Sequence, residues 1–167
     1  KSATHLKVKG GSLRLIFSKS IPNKIDNKQI FKSIRIENNI VNQKKSFDRI
    51  NKINMENNKK IHNFIKNRFK KGDKIFGYGA SVGTTTNLYN LKLQKFIKGI
   101  FDDEKLRHSL FLPGSNIKVY DPKTIKSFKP NLIVIFAWRY VKNILSKRNI
   151  PKKTNLLIPL PKMKIIK

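Results

Sequence analysis

The chain has 167 residues, 38 Lys+Arg against 9 Asp+Glu, a formal net charge of +29, and no cysteine. That length suits one domain of ordinary size, or one domain with an appendage, and an apolar share of 38% is enough for a single core. The lack of cysteine excludes a disulfide framework, thiolate catalysis and Cys-ligated zinc, and no apolar run approaches the ~18 residues of a membrane span.

Three zones follow in chain order, at 1–19, 20–72 and 73–167. In the first, Leu6 and Val8 alternate with polar residues, as do Leu13, Leu15 and Phe17. This reads as a strand, or as two strands meeting at Gly10-Gly11, where the glycine pair makes either a hairpin turn or a bulge. No h-region and no small-residue cleavage site occur in Lys1–Leu15, so a cytoplasmic location is expected. The second zone is rich in Lys and Asn. Its apolar residues Phe47, Ile50, Ile53, Ile61, Phe64, Ile65 and Phe69 fall mostly three or four apart, which marks one helix face. The spacing predicts a long helix from about Gln43 to Lys70, started by Ser46 or Asn42 and stopped at Gly72, with a helix or loop across Lys28–Glu37 before it.

The third zone alternates short apolar runs with helical patterns. Strands are predicted at Lys74–Gly77, Phe96–Phe101, Ile117–Tyr120, Leu132–Phe136 and Asn155–Ile158, the last closed by Pro159 and Pro161. Helices are predicted at Thr84–Leu91, Pro122–Phe128 and Tyr140–Lys147. The run Leu132-Ile-Val-Ile-Phe136 has the continuous apolar character of a strand buried on both faces. Alternation of this kind implies βαβ units and right-handed crossovers. The fold class is α/β, a Rossmann-like, mostly parallel sheet with flanking helices, preceded by a short β segment and a long linker helix.

The segment Gly77-Tyr78-Gly79-Ala80-Ser81-Val82-Gly83-Thr84-Thr85-Thr86 follows a predicted strand and opens a predicted helix. Glycines there let the backbone turn sharply and approach a ligand, and free N–H groups at a helix start attract an anion. The spacing is G-x-G-x-x-x-G, without the lysine of a phosphate-binding P-loop, so phosphate or nucleotide binding stands beside a purely structural glycine turn. Asp102 and Asp103 form an acidic pair at the end of the next strand, and Asp102, some twenty residues on from the glycine turn, is placed to accept from ribose hydroxyls. The sole tryptophan, Trp138, is followed by Arg139 and Tyr140 at the end of the apolar strand, a set able to stack a base and hold a phosphate or carboxylate, or else to cap the core. The switch-point rule for open sheets puts a ligand near Gly79, Asp102 and Trp138. His5, His62 and His108 are too dispersed for a metal site, and His62, in the polar helix, is expected at the surface. No catalytic constellation is found.

The basic surplus admits a nucleic-acid reading through counterion release. It consists, however, of 31 Lys and only 7 Arg, alongside 23 Ile and 18 Asn. Arg is the residue suited to bidentate contacts, whereas Lys, Ile and Asn are those that A+T-rich codons favour. A solvated lysine surface set by coding bias is the preferred reading, and a nucleic-acid partner is not expected.

Five blocks in order, Gly77–Thr86, Phe101–Lys105, Arg107–Gly114, Lys129–Ile135 and Ala137–Tyr140, resemble the C-terminal domain of the S-adenosylmethionine-dependent nucleotide-sugar C-methyltransferases. Gly10-Gly11-Ser12-Leu13-Arg14 is similar to the His-Gly-Gly-Ser-Leu-Arg strand of that family, with Lys9 standing where the family has His. The resemblance implies a domain that helps bind a nucleotide-diphosphate deoxysugar. It implies that S-adenosylmethionine, a Cys-rich zinc module and a Glu-His pair belong to more N-terminal parts of the complete enzyme. This chain is therefore expected to be the C-terminal part of a truncated or split enzyme, without cofactor, metal or catalytic residues of its own and without activity alone, a second chain carrying the methyl-donor domain being its expected partner. By the same resemblance Gly77, Tyr78, Gly79, Ala80, Ser81, Gly83, Thr84 and Thr85 form the loop at the substrate pocket. Asp102, Asp103, Pro113, Gly114, Trp138 and Arg139 line its rim. A dinucleotide-binding protein of the NAD(P) type is the alternative that uses the same turn and Asp102.

Overall fold

A computed structural model describes residues 2–8, 11–17, 19, 28–40, 43–146 and 150–166. Lys9, Gly10, Asn42 and Lys147, which figure in the expectations above, lie outside the described residues. The chain divides into two compact units, Lys1–Asn54 and Met55–Lys167.

In the first unit, strands β1 (Ser2–Leu6) and β2 (Ser12–Ile16) form an antiparallel hairpin, with Ser2 opposite Ile16 and Leu6 opposite Ser12. Gly11 takes φ +124, and both its N–H, at 2.9 Å, and the Ser12 hydroxyl, at 3.1 Å, donate to the Val8 carbonyl. The glycine position is thus a hairpin turn between two strands, the arrangement that a left-handed backbone permits. Helix α1 (Lys28–Ile40) packs against β1. Helix α2 (Lys44–Lys70) begins in this unit, and the division of the chain falls inside it. Its early apolar positions Phe47, Ile50 and Ile53 are each 53% exposed, and no described residue of the first unit is buried.

The second unit is built on a six-stranded sheet. Its strands are β3 (Ile75–Tyr78), β4 (Ile100–Phe101), β5 (Val119–Tyr120), β6 (Leu132–Ile135), β7 (Asn155–Ile158) and β8 (Lys164–Ile166), in the spatial order β5-β4-β3-β6-β7-β8. The first five run parallel, and β8 joins β7 antiparallel. The chain leaves β3 to one side through β4 and β5, then returns to its other side at β6, so the order reverses between β3 and β6. Helices α3 (Val82–Asn90), α4 (Ile125–Phe128) and α5 (Val141–Ser146) lie in the connections.

Strand alternation sends side chains to two faces. Ile75, Leu132, Val134 and Phe136 join a cluster with Ile61 and Ile65 of α2 and Leu88 of α3. Phe76, Tyr78, Ile133 and Ile135 join Ile125 of α4 and Ile144 of α5 on the opposite side. The sheet is therefore covered on both faces, which explains the unbroken apolar run of β6. Each fully buried Ile or Leu contributes about 1.5–3 kcal/mol relative to an exposed one.

Three local features differ from the sequence reading. The strand predicted from Phe96 is only Ile100–Phe101, because the chain turns at Leu93–Phe96, where the Phe96 N–H donates to the Leu93 carbonyl at 2.9 Å. Phe96 is buried there against the edges of Phe69 and His62, so His62 is half-buried and its Nδ1 lies 3.0 Å from the Leu91 carbonyl. The third is β8, which the proline pair Pro159 and Pro161 concealed. Asn57 of α2 ties down this last segment: its amide donates to the Pro159 carbonyl at 3.1 Å and its Oδ1 accepts the Met163 N–H at 3.2 Å.

After β3 the backbone turns at Gly79, with φ +95, and enters α3 through Ser81. A Cβ on Gly79 would stand 2.5 Å from the Ala137 Cβ and 3.0 Å from its nitrogen, so strand end and turn meet without room for a side chain. Gly79→Ala is expected to lower stability by about 2–4 kcal/mol, as strain and overlap combine. Gly83→Ala, whose new Cβ would meet only Ser81 Oγ at 3.7 Å, is expected to be neutral or stabilising by up to about 1 kcal/mol. Urea denaturation of both variants checks the contrast. The same measurement on α2 is expected to show Ile65→Ala costing about 2–5 kcal/mol and Ile50→Ala less than about 1 kcal/mol.

Candidate functional site

At the carboxyl ends of β3 and β6, where the strand order reverses, the second unit opens a cleft of about 660 Å³. An open α/β sheet creates a crevice there because the connections on either side depart toward opposite faces. One wall is the glycine turn, represented by Gly79, Ser81 and Gly83, with Asn87 one helical turn beyond Gly83. The opposite wall is the segment that leaves β6, with Phe136, Ala137, Trp138, Arg139 and Tyr140. Asn143 and Ile144 of α5 continue this wall, and Leu160 closes one side.

The turn is held by side chains rather than by glycine alone. Thr84 is buried, and its hydroxyl donates to the Gly79 carbonyl at 2.6 Å while accepting the Ser81 N–H at 3.1 Å. The Ala80 N–H donates to Asp102 Oδ2 at 2.5 Å. Val82 and Gly83, the first residues of α3, have no intrahelical acceptor for their N–H groups, so the helix start carries partial positive charge toward the cleft wall.

Asp102 is the centre of a second network. It is only 6% exposed, and besides Ala80 it accepts from the Glu104 N–H at 2.8 Å and from Arg107 Nη1 at 3.2 and 3.4 Å. Its own carbonyl lies 2.8 Å from His108 Nε2. Asp103 turns into the cleft, where Oδ1 accepts the Tyr78 phenol at 3.0 Å. Burial, and then this hydrogen bond and the neighbouring carboxylates, raise the Tyr78 phenol well above the ordinary tyrosine range, so it stays a neutral donor. Across the cleft the Arg139 guanidinium lies 5.0 Å from the centre of the Trp138 ring, a cation–π pair on a short 3₁₀ turn that the Tyr140 N–H closes onto the Ala137 carbonyl at 2.8 Å. Arg107, beside Asp102, gives the cleft a second guanidinium.

Of the residues singled out from sequence, the structure brings Tyr78, Gly79, Ser81, Gly83, Asp102, Asp103, Trp138 and Arg139 to this cleft. The remaining six do not line it. Gly77 lies within β3, where a Cβ would meet Ile100 and Phe136 at 2.9 Å. Ala80 and Thr84 are buried, and the half-buried Thr85 is not among the lining residues. Pro113 and Gly114 are exposed on a loop, with the Gly114 carbonyl accepting the Tyr89 hydroxyl at 2.7 Å. Sequence reasoning did not assign Asn87, Arg107, Asn143 and Ile144. Asn87 had a readable signal, the i, i+4 spacing from Gly83. Arg107 had none beyond its place in a loop, because its position depends on the buried carboxylate that holds it. Among the described residues no three His, Asp or Glu side chains come together as a metal site, and no helix is long and apolar enough to cross a membrane.

The arrangement offers an aromatic face, two guanidiniums, a helix start and an exposed carboxylate, the means to stack a ring, hold an anion and orient a hydroxyl.

Comparison with known proteins agrees with the fold. The chain is 24% identical over 109 residues to the C-methyltransferase NovU of Streptomyces niveus, a stretch covering 64% of this chain and 26% of that protein. It therefore spans about a quarter of that relative's length. The family described as the C-methyltransferase C-terminal domain matches residues 7–161, from within the first unit to beyond the last strand of the parallel sheet, and the chain belongs to this family.

Proposed function

We propose that this chain binds a nucleotide-diphosphate sugar in the cleft and presents it for methylation at carbon, as the substrate-binding part of an S-adenosylmethionine-dependent sugar C-methyltransferase. The observation that carries this reading is the Trp138–Arg139 pair facing the Gly79–Gly83 turn across the strand-order reversal. Stacking on Trp138 suits a nucleobase, and the guanidiniums with the start of α3 suit a diphosphate. Family membership supplies the reaction class.

In the complete enzyme a base would take the proton from the carbon next to the sugar carbonyl, and S-adenosylmethionine, held by a separate domain or partner chain, would supply the methyl group. The residues of this chain bind and orient the sugar nucleotide, a contribution of position rather than of proton transfer, and the isolated chain is inactive. Zinc likewise belongs to another part of the enzyme, and a cytoplasmic location completes the reading.

Titration of the chain with thymidine 5′-diphosphate is expected to change the emission of Trp138, the sole tryptophan. Arg139→Ala is expected to weaken binding about ten-fold. Absence of binding at millimolar nucleotide, with the protein folded by circular dichroism, would refute the proposal. Preferential binding of NAD(H) would favour a dinucleotide-binding protein, and sub-micromolar DNA or RNA binding with a steep salt slope would favour a nucleic-acid partner.

A further inference from the structure

Leu160 stands apart from the two main walls of the cleft. It belongs to the link between β7 and β8, residues 159–163, yet it joins Phe136, Trp138 and Ile144 in the lining. That link has few means of holding itself, since Pro159 and Pro161 have no N–H to donate. Among the described residues its hydrogen bonds come from one side chain on α2. The Asn57 amide donates to the Pro159 carbonyl at 3.1 Å, and its Oδ1 accepts the Met163 N–H at 3.2 Å. The two bonds bracket Leu160. Asn57 is itself half-buried and stands four residues before Ile61 and eight before Ile65, on the helix face that these two fully buried side chains fix in the core. The carboxamide is therefore presented from a rigid support.

We infer that Asn57 is a positioning residue of the cleft: through Pro159 and Met163 it sets Leu160 against the ring of a nucleotide stacked on Trp138. The inference rests on the nucleotide-binding reading above and adds to it a determinant of affinity that does not line the cleft. Leu160 supplies apolar contact and keeps water from one side of the ring. Without the carboxamide the link stays attached at its ends, where Ile158 pairs with Lys164, but Leu160 is released between them. A side chain that must be immobilised as the ligand arrives binds it less tightly than one already in place.

The test is a double-mutant cycle, read by calorimetric titration of the full chain with thymidine 5′-diphosphate. Leu160→Ala is expected to weaken binding about five- to ten-fold, through the lost apolar contact. Asn57→Ala, folded by circular dichroism, is expected to weaken it about three-fold or more. The double variant is expected to bind within about two-fold of Leu160→Ala, because Asn57 then has nothing left to position. A purely structural asparagine would leave affinity at the wild-type value in the folded variant, or its loss would multiply with that of Leu160→Ala. Either result, or wild-type affinity in Leu160→Ala, would overturn the inference and leave the nucleotide reading standing. Asn57→Asp, which keeps an acceptor for the Met163 N–H, gives the same comparison where the alanine variant fails to fold. A wild-type chain that does not bind at millimolar nucleotide would overturn both.

Discussion

The cleft depends on one buried negative charge. The Asp102 carboxylate is reached by a backbone N–H from the glycine turn after β3, by another from its own loop, and by the guanidinium of Arg107. Two segments that are separate in sequence, the turn after β3 and the stretch that follows β4, are thereby fixed around a single pair of oxygen atoms. A carboxylate this far from water is tolerated because its oxygens are hydrogen-bonded and face a guanidinium. Without the carboxylate, the Ala80 N–H would be buried without an acceptor, and the loop carrying Arg107 and His108 would lose its anchor. The glycine turn is therefore shaped from below as much as by the freedom of Gly79, whose left-handed backbone brings it against Ala137. The same organisation divides labour between neighbouring residues, with Asp102 and Thr84 facing inward and Asp103 and Ser81 at the opening.

The formal charge of +29 does not describe this site. Among the described residues the cleft sets Asp102 and Asp103 against Arg107 and Arg139, with no lysine in its lining. None of the described lysines is buried, and hydrated ammonium groups at the surface are screened and impose no geometry. The two arginines, in contrast, are each held by a partner, one by a carboxylate and one by an indole.

Much of the fold was legible because the periodicities were strong. The apolar run of β6, the glycine turn and the alternation of strands with helices pointed to a parallel sheet with a ligand at its strand ends. Five blocks in order pointed further, to the family. What was not legible depended on contacts distant in sequence. Asn57 is a poor helix former by residue type, yet its amide holds Pro159 and Met163, more than a hundred residues away. Phe96 read as a strand residue because its apolar neighbours did, yet its ring fills a space between Phe69 and His62 after a turn. In the site, residue type located the wall but not the direction of each side chain. Thr84 and Thr85 were indistinguishable from Ser81 as hydroxyl donors, although the Thr84 hydroxyl is committed beneath the turn.

The antiparallel strand β8 lies beyond the stretch that matches the family, which ends at residue 161. It pairs with β7 through Leu156 opposite Ile166 and Ile158 opposite Lys164. Without it, β7 would end the sheet with a bare row of amide and carbonyl groups, a template on which another chain could assemble. The new margin is three residues long and carries a lysine, both properties that discourage such growth. A peripheral segment thus protects the molecule from its own copies, and does so at the side of the sheet away from β5.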